Sequence, residues 1–157
     1  MNFATMLPKI LKWTEIIGLA LFVFSLVLKM LQYTGGNELL MIGLLTMAAS
    51  YYLSSFVKLP LAEEKTVTPK GLADNMVLVV RKVLFMGLSV FCVAYLFGLL
   101  HWNGANEMMI IGLGTLLIAS LVAMFLIFGK RERMPLIQDP LLRSVLAIGL
   151  FLVYKIL

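Results

Sequence analysis

Charged residues cut this chain into long apolar runs. No charged residue and no histidine occurs in Leu39–Val57, Val83–Leu100 or Met108–Gly129, runs of 19, 18 and 22 residues. About 20 mostly apolar residues cross a bilayer as a helix, so each run predicts a span. An earlier segment has an uncharged centre at Ile16–Leu28, and Ile10–Leu31 suffices if Lys12 and Lys29 extend toward the two surfaces. The last run, Ser144–Tyr154, is uncharged for only 11 residues between Arg143 and Lys155. Taken alone it suits an interfacial helix as well as a short span. The pattern predicts an all-α integral membrane protein with four or five spans.

The apolar runs are also repeated. At a constant offset of 69, residues 18–46 and 87–115 share 11 identities in 29 positions, without a gap. The shared residues include Gly18/Gly87, Phe22/Phe91, Gly35/Gly104, Asn37/Asn106, Glu38/Glu107, Gly43/Gly112 and Thr46/Thr115. A fixed internal period sets the architecture before any local propensity does. Lys12, Arg81 and Arg143 each stand six residues before a glycine, at Gly18, Gly87 and Gly149. Arg81-Lys82-Val83-Leu84 also matches Arg143-Ser144-Val145-Leu146. The end of the chain therefore reads as a third copy cut off after its first helix, which favours a fifth span. The expectation is a single membrane domain: a two-helix transmembrane hairpin at 10–57, a cytoplasmic linker at 58–77, a second hairpin at 78–129 and a truncated third copy at 141–157. The linker is polar and carries Pro60, Pro69 and Gly71. Two helices per unit make both copies enter the membrane in the same sense. That is a parallel repeat about an axis along the membrane normal, not an inverted one.

Composition agrees. The chain is 62% hydrophobic and 13% charged, against a soluble norm of about 25% charged. The net charge of +5 is distributed as topology information, not as a nucleic-acid footprint. Eleven of the 13 Lys and Arg residues fall in the N-terminal segment, the loop from Lys58 to Lys82 and the loop from Lys130 to Arg143. Only Lys29 and Lys155 lie on the other side. Positive charge is retained in the cytoplasm, which predicts a cytoplasmic N-terminus in a bacterial inner membrane. The first apolar run lacks an early basic cluster and a small-residue cleavage motif, so it reads as a retained helix. Cys92 is the sole cysteine, which excludes a disulfide within the chain and a multi-cysteine metal site.

The repeated polar residues gather in two turns, Tyr33-Thr34-Gly35-Gly36-Asn37-Glu38 and Trp102-Asn103-Gly104-Ala105-Asn106-Glu107. Gly35 and Gly104 are expected to take positive φ and reverse the chain. Asn37 and Asn106 are expected as N-caps, with Glu38 and Glu107 in the first turn where the helix dipole favours an acid. Tyr33 and Trp102 suit the aromatic belt of a membrane surface. Gly43, Thr46 and Ser50 share one helix face, as do Gly112, Thr115 and Ala119. Small residues let membrane helices approach closely, so these faces are expected to pack the second and fourth helices against each other or a partner. Lys29 and His101 lie near the outer helix ends, and Glu15 is expected to pair with Lys12 one turn away.

Leu28-Lys29-Met30-Leu31-Gln32-Tyr33 followed by a glycine turn and Gly43-Leu44-Leu45-Thr46 resembles the transmembrane hairpin of the gliding-motility and type IX secretion motor stators (GldL-type). Leu100-His101-Trp102-Asn103-Gly104-Ala105-Asn106 with Gly112 to Thr115 resembles it again. The resemblance implies a bacterial membrane hairpin that assembles around a partner helix. It also implies a Lys and a His close together at the end of the first helix, and an intramembrane glutamate after the threonine. Here Lys29 and His101 fall in different copies, and Met47 and Leu116 follow the threonines. The sequence therefore predicts the architecture without the motor. The expected function is a non-catalytic multi-pass scaffold or accessory subunit, with lipid and protein partners or copies of itself, and no cofactor or metal. The alternative is an ion or proton translocator using Lys29, Glu38, His101 and Glu107 near the outer face. A membrane enzyme would want a polar cluster that one His and one Cys do not supply.

Overall fold

The computed structural model describes residues 3–57, 72–129 and 134–156. They form five helices and no strand: α1 (Phe3–Met30), α2 (Gly36–Ser54), α3 (Leu72–Leu99), α4 (Ala105–Gly129) and α5 (Met134–Ile156). Most of the expected linker, residues 58–71, lies outside the described residues. The helix that follows it begins at Leu72, so residues 72–77 of the expected linker are continuous with α3. Helix α5 likewise begins at Met134, before the expected start at 141, and runs through Pro140. Proline inside a helix removes one backbone bond. Pro140 and Ile137 are both fully buried, so packing overrides that local cost.

Three of the helices are long and apolar enough to cross a membrane, at Met6–Met30, Asn75–Leu99 and Ala105–Phe128. The chain is thus a small helical membrane protein with three candidate spans. Helix α2 opens on Gly36-Asn37-Glu38 and has 19 residues, roughly 28 Å at 1.5 Å per residue.

Helix α3 is the centre of the bundle. It packs on α2, α4 and α5, while α1 packs on α2 and α5 also touches α4. Its residues Leu84, Leu88, Ala94 and Leu96 are shut off from the surface. Tyr95 on α3 receives Phe22 from α1 edge-on at 6.1 Å and stacks with Phe91 of its own helix at 6.0 Å. Outward faces are apolar. Trp13, Phe24, Ile118, Leu121, Phe125 and Phe128 are all exposed, as lipid-facing side chains would be.

The close contacts of α1 with α2 recur between α3 and α4. A methyl group at Gly43 would stand 2.8 Å from the backbone nitrogen of Phe22, and one at Gly112 would stand 3.3 Å from that of Phe91. In the reverse direction, Met47 fills the notch at Gly18 and Leu116 fills the notch at Gly87. All four correspondences keep the offset of 69. The small-residue faces therefore point at the preceding helix, α2 to α1 and α4 to α3. Helices α2 and α4 do not pack extensively on each other, contrary to one form of the expectation. Ser50 extends its face by donating to the Leu11 carbonyl at 3.0 Å. Thr46 and Thr115 instead donate back to Ile42 and Ile111 within their own helices.

Candidate functional site

The two turns share a bonding pattern that glycine content alone does not predict. Tyr33 N–H donates to the Leu28 carbonyl and Gln32 N–H to that of Lys29. Trp102 donates likewise to Phe97 and His101 to Gly98. This double closure is a Schellman motif, whose left-handed residue is ordinarily glycine. Here that residue is Gln32 in one turn and His101 in the other, each at φ 55°. Gly35 and Gly104 do take positive φ, at 103° and 86°, but three residues later.

The cap assignment shifts accordingly. Gly35 is the N-cap of α2, and no side chain caps that helix; Asn37 lies inside its first turn. Gly104 directly precedes α4 and its carbonyl accepts from Met108 N–H, which leaves Asn106 within the first turn as well. Asn37 and Asn106 are therefore not the caps. Glycine serves there because the left-handed approach to the helix excludes a Cβ more strongly than a missing side-chain bond penalises it. Glu38 and Glu107 do sit in the first turns, beside the positive ends of the helix dipoles.

At the turn between α1 and α2 an open cleft of about 380 Å³ is lined by Lys29, Gln32, Tyr33, Thr34 and residues 35–38. Lys29 and Glu38 put opposite charges in its wall. The Lys29 ammonium, however, donates to the backbone oxygen of Leu99 at 2.9 Å. That oxygen belongs to the last turn of α3, where carbonyls have no partner within the helix. Lys29 thus caps α3 from α1. His101 and Glu107 belong to the other turn and are exposed. Among the described residues no ion pair joins Glu38 or Glu107 to Lys29 or His101.

A second polar cluster lies toward the opposite ends of the helices, and it joins α1, α2 and α5. Glu15 of α1 accepts from the Tyr51 hydroxyl of α2 at 3.1 Å and from the Arg143 guanidinium of α5. The same guanidinium lies 5.8 Å from the centre of the Tyr51 ring. Glu15 is therefore paired with Arg143 and not with Lys12. Nearby on α3, Arg81 donates to the Val57 carbonyl at 3.3 Å and lies over the Phe85 ring. The repeated spacing of a cation six residues before a glycine marks both Arg81 and Arg143 in the sequence. Tyr51 carries no such mark, because an isolated tyrosine in an apolar run reads as a belt or core residue.

Among the described residues no group of three or more His, Cys, Asp or Glu side chains is placed to hold a metal ion. Cys92 is buried in the α3 core. No family model, no curated protein and no solved structure matches the chain.

Proposed function

We propose that this protein is a non-catalytic multi-pass subunit, a small scaffold or accessory component of a larger complex in a bacterial inner membrane. In this reading it is a tandem parallel repeat. The pairs α1–α2 and α3–α4 are two copies of one transmembrane hairpin, α5 is the first helix of a third copy, and the N-terminus is cytoplasmic. One observation carries the functional reading. The charges in the bundle hold helices together: Arg143 binds Glu15 across α5 and α1, and Lys29 caps α3 from α1. Of the four candidate relay residues, Lys29 is engaged as a helix cap, while Glu38, His101 and Glu107 lie at the turns and put no ionisable group in the middle of a helix.

The likeness to the motor-stator hairpin is proposed for architecture alone. The positions after Thr46 and Thr115, where the motor family has its acid, hold Met47 and Leu116. Both side chains fill glycine notches on the neighbouring helix. An unpaired carboxylate in such an apolar contact would be costly. The translocator reading retains one supporting observation, the cleft that brings Lys29 and Glu38 to the same wall.

Purification from native membranes in mild detergent tests the proposal. A defined complex with a co-purifying membrane protein is expected, together with no proton or cation flux above empty proteoliposomes. A stable lone chain of 17.5 kDa contradicts the subunit role. Flux that is lost with Glu38→Gln and Glu107→Gln establishes the translocator instead.

A further inference from the structure

The two turns agree in backbone and differ in charge. Both close by the same pair of bonds. Both keep an aromatic residue, an asparagine and a glutamate at matching positions: Tyr33 and Trp102, Asn37 and Asn106, Glu38 and Glu107. The place of Lys29, however, is held by Gly98 in the second copy. The second turn closes without that cation, so the turn itself does not require one.

Lys29 is held in position but only partly used. An ammonium has three donors, and one of them goes to the Leu99 carbonyl at 2.9 Å. That bond anchors the charge in the wall of the cleft between α1 and α2 and leaves two donors over. Glu38 lines the same cleft and is exposed. Among the described residues its carboxylate has no hydrogen-bond or ion-pair partner. Tyr33 and Thr34 add two hydroxyls to the lining. The cleft of about 380 Å³ lies within the roughly 300–1,000 Å³ typical of small-ligand sites. It opens at the end of the candidate span Met6–Met30, the level at which lipid headgroups lie.

The two charges select the ligand. A simple anion meets Glu38. A metal cation meets Lys29 and finds one carboxylate, where calcium takes about six to eight oxygens. A group that carries both a phosphate and a primary ammonium satisfies both walls. We infer that the cleft binds a phosphate-linked primary amine, the headgroup of a zwitterionic membrane lipid. The phosphate lies against Lys29 and the Tyr33 and Thr34 hydroxyls, and the ammonium against Glu38. Both contacts are charge-assisted, roughly twice as strong as neutral hydrogen bonds. The assignment is the same whichever side of the membrane the turn faces, and it does not depend on the subunit role.

Native mass spectrometry of the full chain in mild detergent reads the preference. The probes are phosphatidylethanolamine, phosphatidylcholine and phosphatidylglycerol with matched acyl chains. Phosphatidylethanolamine should be retained about three- to fivefold over the other two, the scale of exposed charge contacts. Choline has no N–H to give Glu38, and the glycerol headgroup has no cation. Glu38→Gln and Lys29→Met should each erase the preference, while Glu107→Gln, in the turn without the lysine, should keep it. Glu38→Gln removes no hydrogen bond or ion pair of the fold, so it decides the matter even if Lys29→Met lowers stability through Leu99. Free phosphoethanolamine should compete only in large excess over the lipid. Competition at equal concentration makes the soluble amine the ligand and overturns the lipid assignment. Equal retention of the three lipids, a preference for phosphatidylglycerol, or a preference that survives Glu38→Gln overturns the site. Cation flux that is lost with Glu38→Gln, without any lipid preference, gives the cleft to translocation instead.

Discussion

Arg143 of α5 donates to the carboxylate of Glu15 on α1, although among the described residues no extended packing surface joins the two helices. The pair, with the Tyr51 hydroxyl, ties the end of the chain to its beginning. Removing one partner of a buried pair leaves the other charge uncompensated, which typically costs 3–5 kcal/mol. Both side chains keep about a fifth of their surface, 23% and 20%, so the cost here is discounted to about 2 kcal/mol. Arg143→Leu should lower thermal stability and speed amide exchange in α5 before the other helices. Adding Glu15→Gln should recover part of the loss. Equal exchange in α5 with and without Arg143 would show that the pair does not hold the helix.

The two glycine contacts differ in tightness, and the difference is measurable. A methyl group at Gly43 would meet Phe22 backbone at 2.8 Å, so α1 and α2 must separate. At Gly112 the corresponding approach is 3.3 Å, which a small adjustment relieves. Gly43→Ala should therefore destabilise by about 2 kcal/mol or more, and Gly112→Ala by clearly less. Gly114→Ala, in open space, should be neutral or slightly stabilising through helix propensity. Reversible unfolding in detergent ranks the three. A Gly112→Ala cost equal to that of Gly43→Ala would contradict the packing described.

His101 is the sole histidine, yet its backbone explains its position: it is the left-handed residue that closes α3. A non-glycine residue there costs about 1 kcal/mol. His101→Gly, and likewise Gln32→Gly, should stabilise the protein by about that amount without altering assembly. If His101→Gly abolishes a cellular phenotype while raising stability, the side chain has a role beyond the turn.

The all-helical fold and its membrane character were legible in the sequence, because uncharged runs near 20 residues have few other uses. The Gly43, Thr46, Ser50 face was legible as a packing stripe. Its target was not, since a helix face does not say which neighbour it meets; Gly18 and Gly87, at the same offset, were the available signal. The turns misled in a specific way. Glycine marks positive φ, so Gly35 and Gly104 were identified, but Gln32 and His101 adopt it without any compositional sign. The Glu15–Arg143 pair spans 128 positions, and a sequence favours the local partner Lys12 because only local spacing is visible in it.

Lys29 offers a test of whether charge near the turn is structural. Lys29→Met removes the donor to Leu99 and should cost about 1 kcal/mol, the usual net value of one hydrogen bond. The loss should appear as faster exchange in the last turn of α3. Unchanged exchange there would free Lys29 for another role.

The central claim, two parallel hairpins with their turns on the outer side, is tested most directly by cysteine accessibility in intact cells. In a Cys92→Ala background, single substitutions Thr34→Cys, Asn103→Cys and Asn75→Cys are probed with a membrane-impermeant maleimide. The account predicts labelling at positions 34 and 103 from outside, and at 75 only after permeabilisation. Labelling of 34 and 103 from opposite sides of the membrane would contradict it.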